Sequence, residues 1–203
     1  MKIICAYLLP ILFSFIFNAG ASENCSSVPD ELDQMATADQ SLRYDGHNIG
    51  LKGPEERADW NLKVQTLNHV NGEKLKSILD RCGWPSEETL DGRSSSAAQL
   101  IAQHSDHDDQ LQMRALAVIE GRVRNGTVDP KQFAHLSDRI QLRRTGKQIY
   151  GTQLLVSNEG ITLPSTEIDD IDSVNKRRKA LGMESVEAYI AQAKESQFGK
   201  VTR

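Results

Sequence analysis

A histidine at the end of a short apolar helix is the residue of this sequence best suited to chemistry. Across Ser96–Asp106, helical spacing places Ala97, Leu100, Ile101 and His104 on one face, and acidic residues follow directly. Because imidazole titrates near neutral pH, His104 would suit acid–base chemistry in a solvent-filled pocket. A histidine on an apolar face is more often a satisfied core residue, so both interpretations stay open.

The acidic run that follows, Asp106–Asp109, combines imidazole and carboxylate groups, which are ligands for transition metals. The spacing matches no specific ligand motif, and acids before a helix suit its N-terminus. We therefore expect Ser105 or Asp106 to cap the next helix, with Asp108 and Asp109 in its first turn. Neither a metal nor another cofactor is expected.

Further polar residues that could serve a site follow in the second half of the chain. Asp138 and Arg139 lie on a helix with an apolar face, and an arginine at the border of such a face needs a carboxylate or a ligand anion. Tyr150 and Gln153 could offer hydrogen bonds in a pocket or satisfy a hairpin junction. Arg177 and its neighbour form a pair of which one faces solvent and the other reaches inward.

The overall charge and the missing motifs exclude several functions. The formal net charge is −4, which argues against nonspecific nucleic-acid binding. Two basic clusters, Arg139–Lys147 and Lys176–Lys179, are interpreted as solvated helix faces rather than phosphate sites. The sequence carries no glycine-rich phosphate loop and no Gly-x-Ser-x-Gly nucleophile motif.

The first 21 residues have the pattern of a secretory signal peptide. Lys2 precedes the apolar run Ile3–Phe17, and Ala19–Ala21 gives a small-residue cleavage site. We expect cleavage after Ala21, a single domain over residues 22–203, and a periplasmic or secreted location without stable membrane insertion. The residues before Cys25 match a lipoprotein signal poorly, so lipidation there is not expected.

Removal of that leader leaves Cys25 and Cys82 as the cysteines of the mature chain. In an oxidising compartment such a pair most often forms a disulfide. The alternatives are a metal site or two free thiols. A disulfide would close a long loop and stabilise the fold by about 4 kcal/mol in the chain-entropy model.

The spacing of apolar residues predicts a mainly α domain of six to seven helices with one small β-hairpin. A long helix begins at Pro54 and reaches Cys82, with a possible kink at Asn71-Gly72 and a stop at Gly83. Trp84 is either a core anchor or a ligand-stacking residue. The other expected elements are helices over about 29–42, 97–104, from about 106 to Asn125, 130–145, 168–181 and 185–194, and a hairpin within 151–163.

Five short motifs occur in order along the chain: Gly83-Trp84-Pro85, Gln103-His104-Ser105-Asp106, Asp138-Arg139, Tyr150-Gly151-Thr152-Gln153 and Arg177-Arg178. In this ordered set the sequence resembles a bacterial family of unknown function, over about Leu75 to Tyr189. The resemblance implies that the polar members of these motifs are signature residues, which more often line a site than fill a core. They are His104, Asp106, Asp138, Arg139, Tyr150 and Gln153.

Three hypotheses for function follow. The first is a recognition protein that binds a small polar ligand or a protein partner, for example an inhibitor or immunity protein, through a pocket formed by His104, Asp106, Arg139, Tyr150 and Gln153. The second is a hydrolase in which His104 is the general base, Asp106 orients it and Arg139 holds an anion. The third is a structural envelope protein in which these residues satisfy one another.

Overall fold

The computed structural model describes residues 25–45, 53–85, 93–157 and 160–198, which form a single, mainly α domain as predicted. The predicted signal peptide lies outside the described residues. Within them, none of the helices combines the length and apolar character needed to cross a membrane. The elements are α1 (Val28–Asp45), α2 (Pro54–Cys82), α3 (Arg93–His104), α4 (Asp109–Arg124), α5 (Pro130–Thr145), β1 (Leu155–Ser157), β2 (Gly160–Thr162), α6 (Ile171–Ala180) and α7 (Val186–Phe198), with 3₁₀ turns at Cys25–Ser27 and Ser165–Glu167.

Helix α3 lies at the centre of the larger apolar core and packs against α1, α2, α4 and α5. Small side chains allow this, because Ala98 and Ala102 are fully buried and bring neighbouring helices close to the α3 backbone. Ile101, on the same helix, is buried in the larger apolar cluster. As a result, the C-terminal end of α3 brings His104 to the place where α1 and α2 also meet.

The start of α4 differs from the prediction. Its N-cap is Asp108, whose side chain accepts a hydrogen bond from the Leu111 amide at 2.9 Å. Ser105 cannot serve as the cap because its hydroxyl donates back to the Ile101 carbonyl at 2.8 Å. Asp106 is turned towards arginines of α5, so neither predicted cap holds the helix.

The long helix α2 has the predicted bounds and continues through Asn71-Gly72. A Cβ at Gly72 would lie 3.1 Å from the Ser105 hydroxyl oxygen and 3.3 Å from the His107 ring. This glycine therefore allows α2 to approach the turn between α3 and α4. The glycine at which the sequence predicted a possible kink thus lies at a close contact with this turn.

Two features fix the N-terminal part of the core. Cys25 and Cys82 form a disulfide, which ties the start of α1 to the end of α2. Trp84 is buried, and its indole N–H donates to the Ser95 hydroxyl at 3.1 Å. The tryptophan is thus a core anchor, and its polar atom is satisfied inside the protein.

The C-terminal elements surround a second, smaller apolar cluster built on Ile168, Val174 and Val186. The antiparallel strands β1 and β2 pair Leu155 with Thr162, so the hairpin is shorter than predicted. Helix α6 begins at Ile171 rather than near 168, because Asp170 caps it through the Ser173 amide. Ile168 instead lies in the cluster.

Candidate functional site

The ring of His104 is held by a carboxylate from a different helix. Its Nδ1 lies 3.0 Å and 2.9 Å from the two carboxylate oxygens of Asp39 on α1. The Asp39 side chain is 1% exposed, whereas that of His104 is 14% exposed. The pair therefore has a buried end at the carboxylate and an end at the imidazole that solvent reaches.

The protonation states of this pair follow from its surroundings. Burial works to raise the pKa of Asp39, but hydrogen bonds and charges from His104 and Arg43 outweigh it and lower that pKa below its usual value. Burial also lowers the pKa of His104, and this effect exceeds the opposing one of Asp39. At neutral pH a neutral imidazole thus donates from Nδ1 to an ionised carboxylate.

The remaining nitrogen of His104, Nε2, forms no hydrogen bond within the described part of the chain. Because Nδ1 carries the ring proton, Nε2 presents a lone pair. This nitrogen can accept a proton or a hydrogen bond from a bound molecule.

Asp39 is fixed by a second contact. The Arg43 Nε lies 3.1 Å from both of its oxygens, one helical turn along α1. The same guanidinium donates to the Asn68 side-chain oxygen on α2 at 2.8 Å. Helices α1, α2 and α3 therefore meet in one polar chain of Asn68, Arg43, Asp39 and His104, which we call the histidine chain.

Beside it lies an ion-pair network between the turn after α3 and helix α5, which we call the arginine network. Arg139 binds both oxygens of Asp106, and Arg143 binds Asp106 and Asp109. Arg143 also donates to the side-chain oxygen of Gln112 at 2.8 Å. The charge of Arg139 contributes to lowering the pKa of His104, so the two groups share one electrostatic environment.

The carboxylate that orients His104 is thus Asp39, and the prediction that Asp106 has this role is wrong. Asp106 is committed to arginines of α5 instead. Sequence reasoning missed Asp39, although a signal was present. Asp39 continues the buried stripe of Leu32 and Met35 on α1, and an acid in an apolar stripe needs a partner inside the protein.

Asp138 belongs to a different network. It is fully buried, and its carboxylate accepts hydrogen bonds from the amides of Ile149, Tyr150 and Thr152 at 2.7, 2.9 and 2.8 Å. The Thr152 hydroxyl donates to it as well, at 2.9 Å. Because every one of these donors lies in the segment after α5, Asp138 shapes that segment into a loop.

Gln153 and the paired arginines of α6 complete the same loop. Gln153 donates from its side chain to the His135 carbonyl at 3.2 Å. Arg177 donates from Nε to the Ile149 carbonyl at 2.8 Å, and the fully buried Arg178 donates to the Tyr150 carbonyl at 2.8 Å. We call this set, with Asp138, the loop network.

The predicted site residues therefore fall into two groups. His104, Asp106 and Arg139 lie in the histidine chain and the arginine network, whereas Asp138, Tyr150, Gln153 and Arg177 lie in the loop network. No hydrogen bond or ion pair of the described residues joins the side chains of one group to those of the other, although Asp138 and Arg139 are neighbours on α5. In the same residues no cluster of three or more His, Cys, Asp or Glu side chains is placed to hold a metal ion.

A model described as a family of unknown function (DUF6624) matches residues 26–202 of this sequence. The chain belongs to that family. The DUF6624 match includes α1, and so it covers the histidine chain as well as the loop network. No match to the chain was found among curated proteins or among solved structures.

Proposed function

We propose that this protein is a hydrolase in which His104 is the general base. One observation carries the proposal: the buried carboxylate of Asp39 lies 3.0 Å and 2.9 Å from Nδ1 of His104, whose Nε2 has no partner among the described residues. A carboxylate that orients a histidine in this way fixes its tautomer and stabilises the imidazolium that forms during reaction.

In the proposed reaction Nε2 removes a proton from a water molecule while the water oxygen attacks the electrophilic atom of an ester or a related group. A bond forms between that oxygen and the electrophilic atom, and the bond to the leaving group breaks. The imidazolium then returns its proton to the leaving group, so His104 ends the cycle neutral. Asp39 stabilises the charged intermediate state of the ring but does not itself exchange a proton.

Arg139 is proposed to bind the negative charge that develops on the substrate. Its side chain is 36% exposed, and its guanidinium is held in place by Asp106, so only part of its hydrogen-bonding capacity is used. A guanidinium positioned in this way can donate to an oxyanion without first losing rotational freedom. Arg143 supports the position of Asp106 from the next turn of α5.

The test is hydrolysis of chromogenic carboxylic and phosphoric esters by wild type and by His104→Gln. We expect the variant to lose about 100-fold or more in kcat with its fold intact. His69→Gln is the matched control, because His69 is an exposed histidine on the adjacent helix α2. Equal turnover by His104→Gln and wild type would contradict the proposal.

The pH profile offers an independent check of the same role. Since burial lowers the pKa of His104 from 6.5, the base form persists at lower pH than it does for a free imidazole. As the pH falls, activity should therefore decline only below pH 6.5, the pKa of a free imidazole. Asp39→Asn should depress kcat, because an amide stabilises the imidazolium far less than a carboxylate does.

Recognition of a partner without turnover is the second candidate. It is favoured by the half-exposed ion pair of Asp106 and Arg139, which presents both charges at the surface. A charged protein partner would pair with these groups, and Asp106→Asn with Arg139→Gln should then weaken binding. If the histidine chain and the arginine network serve only the fold, His104→Ala and Arg139→Ala should both lower the melting temperature. That result would favour a structural envelope protein.

We propose further that the protein is exported to the periplasm or secreted. The signal-peptide pattern of residues 1–21 and the disulfide between Cys25 and Cys82 support this together. N-terminal sequencing of the protein from its own cells should begin at Ser22. Recovery of the intact N-terminus together with reduced cysteines would contradict export.

A further inference from the structure

A cleft of about 240 Å³ opens at the C-terminal end of α5, where the segment after it passes in front of α6. Its lining includes Gln141 and Thr145 from α5, Lys147 from the following segment, and Asp169 and Arg177 near and on α6. None of these residues belongs to the histidine chain or the arginine network. The cleft is therefore separate from the proposed hydrolytic site.

Two cationic side chains of this cleft keep unused hydrogen-bonding capacity. Arg177 is anchored through its Nε to the Ile149 carbonyl at 2.8 Å, and its terminal nitrogens have no partner within the described residues. The Lys147 ammonium likewise forms no ion pair there. Arg143 and Arg144, by contrast, both form ion pairs with Asp109.

The wall between these cations is rigidly built. Gln148 is buried, and its side-chain amide donates to the Gln153 carbonyl at 3.0 Å and to Glu167 at 2.7 Å. Its backbone N–H donates to the Glu167 carbonyl at 2.6 Å. The backbone that carries Lys147 is thus fixed at Gln148, and the Arg177 side chain is anchored at the Ile149 carbonyl, so a ligand would find the guanidinium already in place, which lowers the entropic cost of binding.

We propose that this cleft is a binding site for a small oxyanion, which Arg177 and Lys147 hold through charge-assisted hydrogen bonds. An Arg side chain fixed at Nε still offers two terminal N–H₂ groups, which suit phosphate or carboxylate oxygens. Asp169 is the acidic residue of this lining, and its charge opposes binding of a bare anion. Removal of the acidic charge and removal of a basic charge should therefore change the affinity for an anion in opposite directions.

The experiment is a titration of the disulfide-bonded protein with inorganic phosphate at constant ionic strength, followed by amide NMR shifts. In wild type, the amides of residues 147–149 and 177 should move together along one saturable curve. Lys147→Gln should weaken binding about threefold and Arg177→Gln about tenfold. Asp169→Asn should instead tighten it about threefold, because it removes a repulsive charge.

Lys179→Gln is the matched control, because Lys179 is exposed on α6 and lies outside the lining of the cleft. It should bind phosphate as wild type does. Arg177→Lys keeps the charge but not the anchored fork, and a melt shows whether each variant is folded. A second titration with succinate separates a carboxylate ligand from a phosphate ligand.

Saturable shifts at these amides, with the opposite signs for the basic and acidic variants, would support the site. The proposal is overturned if wild type shows no saturable shift at these amides with either anion. It is overturned equally if folded Lys147→Gln, folded Arg177→Lys and Lys179→Gln all bind as wild type does. The outcome is independent of hydrolysis, because no residue of the cleft takes part in the proposed reaction.

Discussion

At the scale of single residues, the buried aspartates Asp138 and Asp39 have different roles because different groups surround their carboxylates. Asp138 accepts hydrogen bonds from backbone amides and a hydroxyl, so its charge organises the chain around it. Asp39 faces charged and titratable side chains, so its charge acts on His104. We therefore expect substitution of Asp138 to lower the stability of the fold. We expect substitution of Asp39 to lower activity.

Asp138→Asn should destabilise the protein by about 3 kcal/mol. The amide group would replace an acceptor oxygen with a donor and face the amide N–H groups of the loop, leaving buried donors unpaired. Urea unfolding measures the loss. Asp172→Asn, at an exposed position in α6, should leave the free energy of unfolding nearly unchanged. A similar small effect for both variants would contradict the assignment.

The same substitution should have opposite effects at two glycines. Gly151 has φ of +64°, and a Cβ there would lie 2.9 Å from the Leu163 side chain, so Gly151→Ala should destabilise by about 2 kcal/mol or more. Gly121 lies within α4 with nothing near a Cβ, so Gly121→Ala should stabilise by up to about 1 kcal/mol. Paired thermal melts test both signs, and a lower melting temperature for both variants would contradict the expected difference.

At the scale of elements, helix bounds were predicted well where local residues decide them. The start of α2 at Pro54 and the end of α5 at Gly146 are examples, since proline and glycine act through their own backbone preferences. The predicted bounds were wrong where a residue distant in sequence determines where an element begins. β1 begins at Leu155 because the preceding amides bind Asp138, and Asp106 does not cap α4 because arginines of α5 bind it.

The same difference between local and distant determinants explains which residues of the candidate site could be predicted from the sequence. His104 and Arg139 could be chosen from their types and positions, and the structure places them in one electrostatic environment. Asp39 could not be paired with His104 from sequence, because 65 positions separate the two residues and only the packing of α1 on α3 brings them together.

Loss of the disulfide should destabilise the junction of α1 and α2. The bond spans 57 positions, for which the chain-entropy model gives a stabilisation of about 4 kcal/mol. The double variant Cys25→Ser with Cys82→Ser should show this loss in urea unfolding. Wild type measured with excess reductant should behave in the same way, and an unchanged midpoint in both would contradict the prediction.

At the scale of the whole molecule, three histidines make stability depend on pH. Burial is the largest cause that lowers the pKa of His104, His107 and His135 below 6.5. The unfolded chain therefore takes up protons that the folded protein resists, so their contribution is complete above about pH 6.5 and is lost as the pH falls through the lowered values.

We therefore expect the urea midpoint to decrease from about pH 7 to about pH 5. His135→Gln should reduce this decrease, because one of the protons that favour unfolding is removed. Midpoints measured across that range for both proteins check the expectation. A midpoint that rises as the pH falls would contradict it, since a lowered histidine pKa permits only the opposite sign.

The larger apolar cluster lies among α1–α5, and the smaller one among the C-terminal elements. Between them lies the loop network, in which Asp138 of α5 and Arg178 of α6 satisfy backbone groups of the same loop. The two parts of the domain are thus joined by a seam of buried charges as well as by apolar contact.

This seam has a consequence for the order in which the two parts of the domain can fold. Helices α1–α5 can collapse around α3 before the C-terminal elements pack, because their apolar cluster is complete by Ile140. Asp138, however, keeps its bound water until the loop after α5 folds onto it, and that loop is closed by Arg178 of α6. We therefore expect a chain truncated after α5 to leave this side of the domain hydrated and less stable, since its buried charge has no partner there.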